Sequence, residues 1–183
     1  MKKNFEEAGN LYSTKIIDLD DIQEYRDFFL SFEYPEWFLG FFDDEDLNPK
    51  GNVSEEQWTE WGNYIKESFT LFGLWDDKTL VGQSAIEFVG SGKETEAFLT
   101  HLQLSDDYLK RGLSGYLYDA PLQYLKDIEF EGNIHIYVDL NNTTSINAAK
   151  RNGFHLEPET DGGFAYMNYK GYSSIDNKPT YSL

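Results

Sequence analysis

The stretch Leu102–Leu117, LQLSDDYLKRGLSGYL, joins an apolar strand ending to a basic pair, a glycine and the start of a helical pattern. A strand that feeds a glycine-bearing turn at a helix N-terminus gathers several backbone N–H groups with no intrahelical acceptor. With the positive end of the helix dipole, those donors suit an anion such as a phosphate or pyrophosphate. Lys110 and Arg111 add charge at the same place, although an exposed charged turn is the plainer account of them. A second stretch, Asn142–Phe154, reads NTTSINAAKRNGF: a polar start, a short helical run and a Gly-Phe stop. Each pattern is weak alone; the pair, separated by a helix and a strand, carries more.

The elements that would position them follow from periodicity and turn residues. Thr14–Leu19 reads as a first strand, and Asp20 or Asp21 as the cap of a helix with Ile22, Tyr25, Phe28, Phe29 and Phe32 along one stripe. After an irregular stretch rich in acids, Ser54-Glu55-Glu56 opens a second helix with Trp58, Trp61, Tyr64 and Ile65 on one side. Phe69–Trp75 and Thr79–Val89 form two strands about the turn Asp76-Asp77-Lys78, and a third runs from Thr95 to Leu104. Leu113–Ile128 is helical with Pro121 inside it, which predicts a local kink. Ile134–Leu140 is a strand, Thr144–Asn152 a short helix stopped at Gly153, and His155–Pro158 and Phe164–Tyr169 a final strand pair.

At 183 residues the chain is large enough for one well-filled core. It has no cysteine, which excludes disulfides, thiolate metal sites and a cysteine nucleophile, and no metal is expected. The net charge is −18, with 22 of the 33 acids in residues 1–100. Such a surface repels nucleic acid and anionic membranes, so neither is an expected partner. It would favour a cationic substrate, though a solvated solubility face is the simpler account. No apolar stretch approaches the roughly 18 residues that span a bilayer. The opening MKKNFEEAGN lacks the apolar core of a signal peptide, so a cytoplasmic protein is expected.

The element order β-α-α-β-β-β-α-β-α-β-β, with a glycine turn after the fourth strand, resembles the GNAT superfamily of N-acetyltransferases. The likeness covers most of the chain and is sharpest over Phe98–Phe154. The family's turn reads Gln/Arg-x-x-Gly-x-Gly/Ala, matched here by Leu109, Lys110, Arg111, Gly112, Leu113 and Ser114. Leu109 and Ser114 depart from it; the small Ser114 suits a site built from main chain, whereas Leu109 loses a polar contact. Asn142–Phe154 resembles the family's Asn-x-x-Ala-x-x-Leu-Tyr-x-Lys-x-Gly-Phe, with Asn142, Ser145, Ile146, Arg151, Gly153 and Phe154 in register. The Asn-x-x-Ser-Ile form is most similar to the branch of ribosomal-protein N-terminal acetyltransferases. The family's tyrosine, which in many members protonates the leaving thiolate, is Ala149 here.

The resemblance implies an α/β (α+β) fold: a mixed, mostly antiparallel sheet of roughly seven strands, flanked by roughly four helices and splayed between the fourth and fifth strands. Residues 1–170 would form a single acetyltransferase domain and 171–183 a polar tail. Acetyl-CoA would be the co-substrate, and the acceptor a primary amine: a cationic small molecule or a peptide N-terminus. Its pyrophosphate would lie on the amides of Lys110–Gly115, with Leu102, Leu104, Leu109, Asn142 and Ser145 also in contact. The amide near Leu104 would polarise the thioester carbonyl. For the general base, alternation along the fourth strand puts Phe98 and Thr100 on the face of Leu102, neither of them basic, and His101 on the other. Glu96 has the right parity but lies far from the splay, and Glu87 is an alternative. Tyr137 is a candidate acid, with Tyr118 and Tyr166 in reserve. Aromatics of Phe28–Phe42 beside Asp43–Asp46 would wall the acceptor site, unless they are helix core and solvated loop. A non-catalytic acyl-CoA-binding module is the alternative reading. Homodimers are common in the family, but nothing in the sequence selects an interface.

Overall fold

The computed structural model describes residues 3–7, 10–18, 25–31 and 53–170. The expected region Phe32–Asp46, the start of the first helix through residue 24 and the tail 171–183 lie outside them.

Eight strands form one sheet in the order β1-β2-β3-β4-β5-β6-β8-β7. They are β1 (Lys3–Glu7), β2 (Asn10–Ile16), β3 (Phe69–Asp76), β4 (Thr79–Val89), β5 (Glu96–Leu104), β6 (Ile134–Asp139), β7 (Phe154–Asp161) and β8 (Phe164–Tyr169). The helices among the described residues are α1 (Arg26–Phe29), α2 (Glu55–Ser68), α3 (Ser114–Asp127) and α4 (Thr143–Arg151). β1 is an addition to the expected strands. Its KNFEE sequence lacks an apolar period, and antiparallel pairing with β2 recruits it to the sheet edge.

Apolar side chains fill both faces. Phe29 of α1 and Trp58, Trp61 and Ile65 of α2 pack with Leu71, Trp75 and Ala85 on one side. Phe28 and Phe29 therefore belong to the core, as the second of the two readings had it. Tyr118 and Leu125 of α3 and Ala148 and Ala149 of α4 pack with Ile86, Leu99, Ile136, Phe154 and Met167 on the other. The sheet is thus buried from above and below, and β3 reads as a near-continuous apolar run for that reason. At the start of α2, the Ser54 hydroxyl accepts from the Gln57 amide while the Gln57 side chain accepts from the Ser54 amide. Pro121 does not end α3, which runs as helix from Ser114 to Asp127 with Pro121 buried inside it.

Each neighbouring pair in the sheet is antiparallel except β5 and β6. A parallel pair needs a crossover, here α3. Only three residue pairs join these strands: Ala97 with Ile134, Phe98 with His135, and Leu99 with Ile136. Beyond them β6 continues to pair with β8 as far as Asp139, while β5 stays on β4. The sheet therefore opens as a V between β5 and β6.

Candidate active site

The cause of the splay is local. Gln103 pairs with Gln83 and Thr100 with Ala85, so His101 and Leu102 face the single residue Ser84 across the ladder. His101 has φ 52°, a left-handed conformation, and marks a β-bulge that bends the strand. The bulge also overturns the alternation expected from the sequence. Leu102 packs toward α3, with Leu113 and Leu117. Phe98 lies against His135 and Tyr137 on the opposite face, the face it shares with Thr100. His101 meets the ring of Phe69 on that opposite face, where Phe69 joins the α1–α2 core. One inserted residue exchanges the two faces, because side-chain parity is 2.

The backbone of the open edge can be assigned. Ser105 donates its amide to the Val81 carbonyl of β4 at 2.9 Å. Successive amides in a strand point to opposite edges, so the Leu104 amide points into the V. Gly82 lets this edge sit close to the helix: a Cβ there would lie 2.7 Å from Leu104 Cδ2 and 3.3 Å from Leu117 Cδ2.

From Leu104 the chain passes through a short 3-10 turn, Asp106–Tyr108, to Leu109 and the basic pair. Lys110 and Gly112 both take positive φ, 62° and 79°. Among the described residues no side chain caps the N-terminus of α3, and the first amide there with a backbone acceptor is Tyr116, bonded to the Leu113 carbonyl at 3.1 Å. A Cβ on Gly112 would meet nothing within 4 Å, so the turn fronts open space. Lys110, Arg111 and Gly112 are exposed, Ser114 is half-buried, and Leu113 and Gly115 are buried and anchor the turn. The turn is braced from one side. Tyr108 donates its hydroxyl to Asp76 Oδ2 at 2.9 Å, and the Arg111 guanidinium lies 4.7 Å from the centre of the Tyr108 ring. The bond to Asp76 is the main reason that the Tyr108 hydroxyl is held above its ordinary pKa. Its two ends are 32 residues apart, so no local pattern marks this brace.

At the end of β6, Asn142 caps α4 by accepting from the Ser145 amide at 3.0 Å. Capping alone explains that pair. Ala149 is fully buried between α4 and the sheet, with no space for a tyrosine, and so the family's acid position is part of the core here.

On the face opposite α3, at the apex of the V, Glu87, Val89, Phe98, Leu99, Thr100 and Tyr137 line a groove of about 250 Å³. Tyr137 is 55% exposed and its ring is parallel to that of Phe98, 5.7 Å away. Glu87 is half-buried, and burial raises its carboxyl above the usual range. Beyond Phe98 lies a polar chain that sequence reading missed. His135 is buried; its Nδ1 meets Asn168 Oδ1 and the Tyr166 hydroxyl, and its Nε2 is 3.3 Å from Glu96 Oε1. Glu96 thus sits at the closed end of the V, next to His135 and Asn133. Burial pushes the His101 imidazole down to about 4 and the Tyr166 hydroxyl up to about 12, and holds the Tyr118 hydroxyl high in the core. A separate groove of the same volume between α3 and β2–β3 contains no residue of the turn or of the splayed strands.

Residues 24–154 of the chain match a family model, Acetyltransferase (GNAT) family. The chain belongs to the GNAT acetyltransferase family. This GNAT chain is accordingly an acyltransferase, and its fold recurs in solved structures. The N-acetyltransferase paia of Thermoplasma acidophilum, in complex with coenzyme A, superposes with TM-score 0.58 at 18% identity, over 88% of this chain and 99% of that one. Spermidine N-acetyltransferase of Vibrio cholerae, in complex with CoA and spermine, gives 0.60 at 14% over 86% and 92%. Arabidopsis thaliana Naa50, in complex with a bisubstrate analogue, gives 0.57 at 12% over 88% and 99%. At such identities these relatives share the fold with the GNAT chain and do not single out a branch. No curated protein matches it.

Proposed function

We propose that this protein transfers the acetyl group of acetyl-CoA to a primary amine by direct attack, without an acyl-enzyme. The observation that carries the reading is the V between β5 and β6, whose mouth leads to the uncapped turn around Gly112. The residues present fit the group: amides with no acceptor among the described residues, open space at Gly112 and cationic side chains at Lys110 and Arg111 suit a pyrophosphate. Several of the solved relatives carry coenzyme A or a CoA conjugate, which supports the same assignment.

In this reading the amides of Lys110–Gly115 hold the pyrophosphate, and the open edge at Leu102–Leu104 offers strand-like hydrogen bonds to the pantetheine arm. Leu109 contributes apolar cover, and Asn142 and Ser145 border the other side of the opening. Acetyl-CoA supplies the activated acetyl thioester, and CoA leaves as the thiol. The Leu104 amide, aimed into the V, lies opposite Gly82, five β4 residues and so roughly 16 Å from Glu87; in this reading it bonds the pantetheine arm and not the thioester carbonyl expected from the sequence. An ammonium must lose a proton before its nitrogen can attack. Glu87 faces the apex groove and is better placed to receive that proton than Glu96, which is engaged with His135 and Asn133. His101, neutral because of its burial, remains an acceptor by chemistry. Tyr137, exposed in the same groove, is the proposed acid that protonates the thiolate.

The test is thiol release from acetyl-CoA against a panel of cationic, neutral and anionic acceptors. Release with cationic amines is expected; release only with neutral or anionic acceptors, or CoA binding without release, would reject the assignment.

A further inference from the structure

The groove at the apex of the V has a composition that narrows what can enter it. Among the described lining residues Val89, Phe98 and Leu99 are wholly apolar, and the polar side-chain groups are the Glu87 carboxylate and the hydroxyls of Thr100 and Tyr137. No described cation pairs with Glu87, a half-buried carboxylate beside two parallel aromatic rings. A carboxylate so placed is costly until a cation neutralises it, and ring faces attract the same cation. Burial of Glu87 already disfavours its ionised form and raises its pKa.

Resting on the acetyltransfer reading above, we infer that the groove takes the terminal ammonium of an unbranched aliphatic chain, with Glu87 as its counter-ion and Phe98 and Tyr137 as its walls. A peptide N-terminus would bring an amide group within two bonds of the nitrogen, and an aminoglycoside a ring of hydroxyls. Both carry more polar groups than one carboxylate and two hydroxyls among the described lining residues can pair with, and each unpaired polar group is penalised. A methylene chain carries none. A volume of 250 Å³ accommodates a short chain, since a group of water size occupies roughly 30 Å³. Glu87 is therefore a specificity residue that also contacts the reacting nitrogen.

The experiment measures acetyl transfer to n-pentylamine, to Nα-acetyl-lysine methylamide, to a trialanine peptide with a free N-terminus and to kanamycin. It uses wild type, Glu87→Gln and Val89→Lys, with CoA affinity by calorimetry in parallel. The exposed Val89→Lys places a fixed cation at the same groove without altering Glu87, so it serves where Glu87→Gln fails to fold. The two aliphatic ammonium compounds are expected to turn over in wild type, with KM rising about tenfold or more in either variant and CoA affinity unchanged. Transfer confined to trialanine or kanamycin, or an unchanged KM in both variants, overturns the inference while the acetyltransfer reading survives. Failure of the wild type to bind CoA overturns that reading itself, and this inference with it.

Discussion

At the scale of single residues, the site depends on a few backbone and side-chain placements that each have a local cause. Tyr108 ties the turn to the β3–β4 hairpin through Asp76 and carries Arg111 over its ring. Tyr108→Phe keeps the ring and loses the bond, so CoA affinity should fall by a few-fold, about 0.5–1 kcal/mol for a partly exposed pair. Isothermal titration checks it; an unchanged affinity would show that the brace does not hold the turn. His101 makes a second prediction through pH. Its folded pKa, near 4, lies below the usual 6.5. The unfolded chain therefore binds more protons between those values, and stability must rise with pH across that window. Glu87 works the other way, since its raised carboxyl makes the folded state the better proton binder above 4.5. His101→Asn keeps a residue type that tolerates positive φ and removes the imidazole. Thermal melts from pH 4 to 7 should then lose the rise seen in wild type, and a retained rise would place its source elsewhere.

At the scale of elements, the proposed function rests on how β5 is held by β4 and released by β6. Gly82 is where that arrangement is most exposed to change. A Cβ there would lie 3.1 Å from the Gln103 carbonyl, a backbone atom, besides pressing on Leu104. Gly82→Val should lower stability by about 1–3 kcal/mol, as overpacking does, and weaken CoA binding because the open edge must shift. A variant that melts lower yet binds CoA normally would separate the edge from the site. Much of this element plan was legible in the sequence. Thr79–Val89 and the two strands that flank Asp161–Phe164 follow from β periodicity and turn residues, and the turn at Gly112 from its glycine and helix start. The bulge was not legible, because an inserted residue leaves no mark in composition and reverses every parity argument beyond it. Contacts between distant segments, such as Tyr108 with Asp76 or His135 with Asn168, were equally hidden. β1 was missed because pairing, not pattern, makes it a strand.

For the molecule as a whole, the charge of −18 is a long-range property of the chain. An acidic surface raises the local concentration of cations and accelerates their capture, and salt screens that effect over roughly 8–10 Å at 0.1–0.15 M. The kcat/KM for a cationic amine should fall as ionic strength rises, and that for a neutral amine should not; equal salt response of the two would assign the charge to solubility alone. No helix among the described residues is long and apolar enough to cross a membrane. The fold, the family and the opened sheet converge on one claim, that the turn at Gly112 is where CoA is held. The direct measurement is calorimetric titration of CoA into wild type and Gly112→Val, with thermal melts of both. A side chain at φ 79° costs about 1–2 kcal/mol, and at an exposed turn this leaves the fold in place. The added methyls would enter the open space that the pyrophosphate needs, so affinity should fall by about a hundredfold or more, some 2.7 kcal/mol. A folded Gly112→Val protein that binds CoA as tightly as wild type would contradict the account.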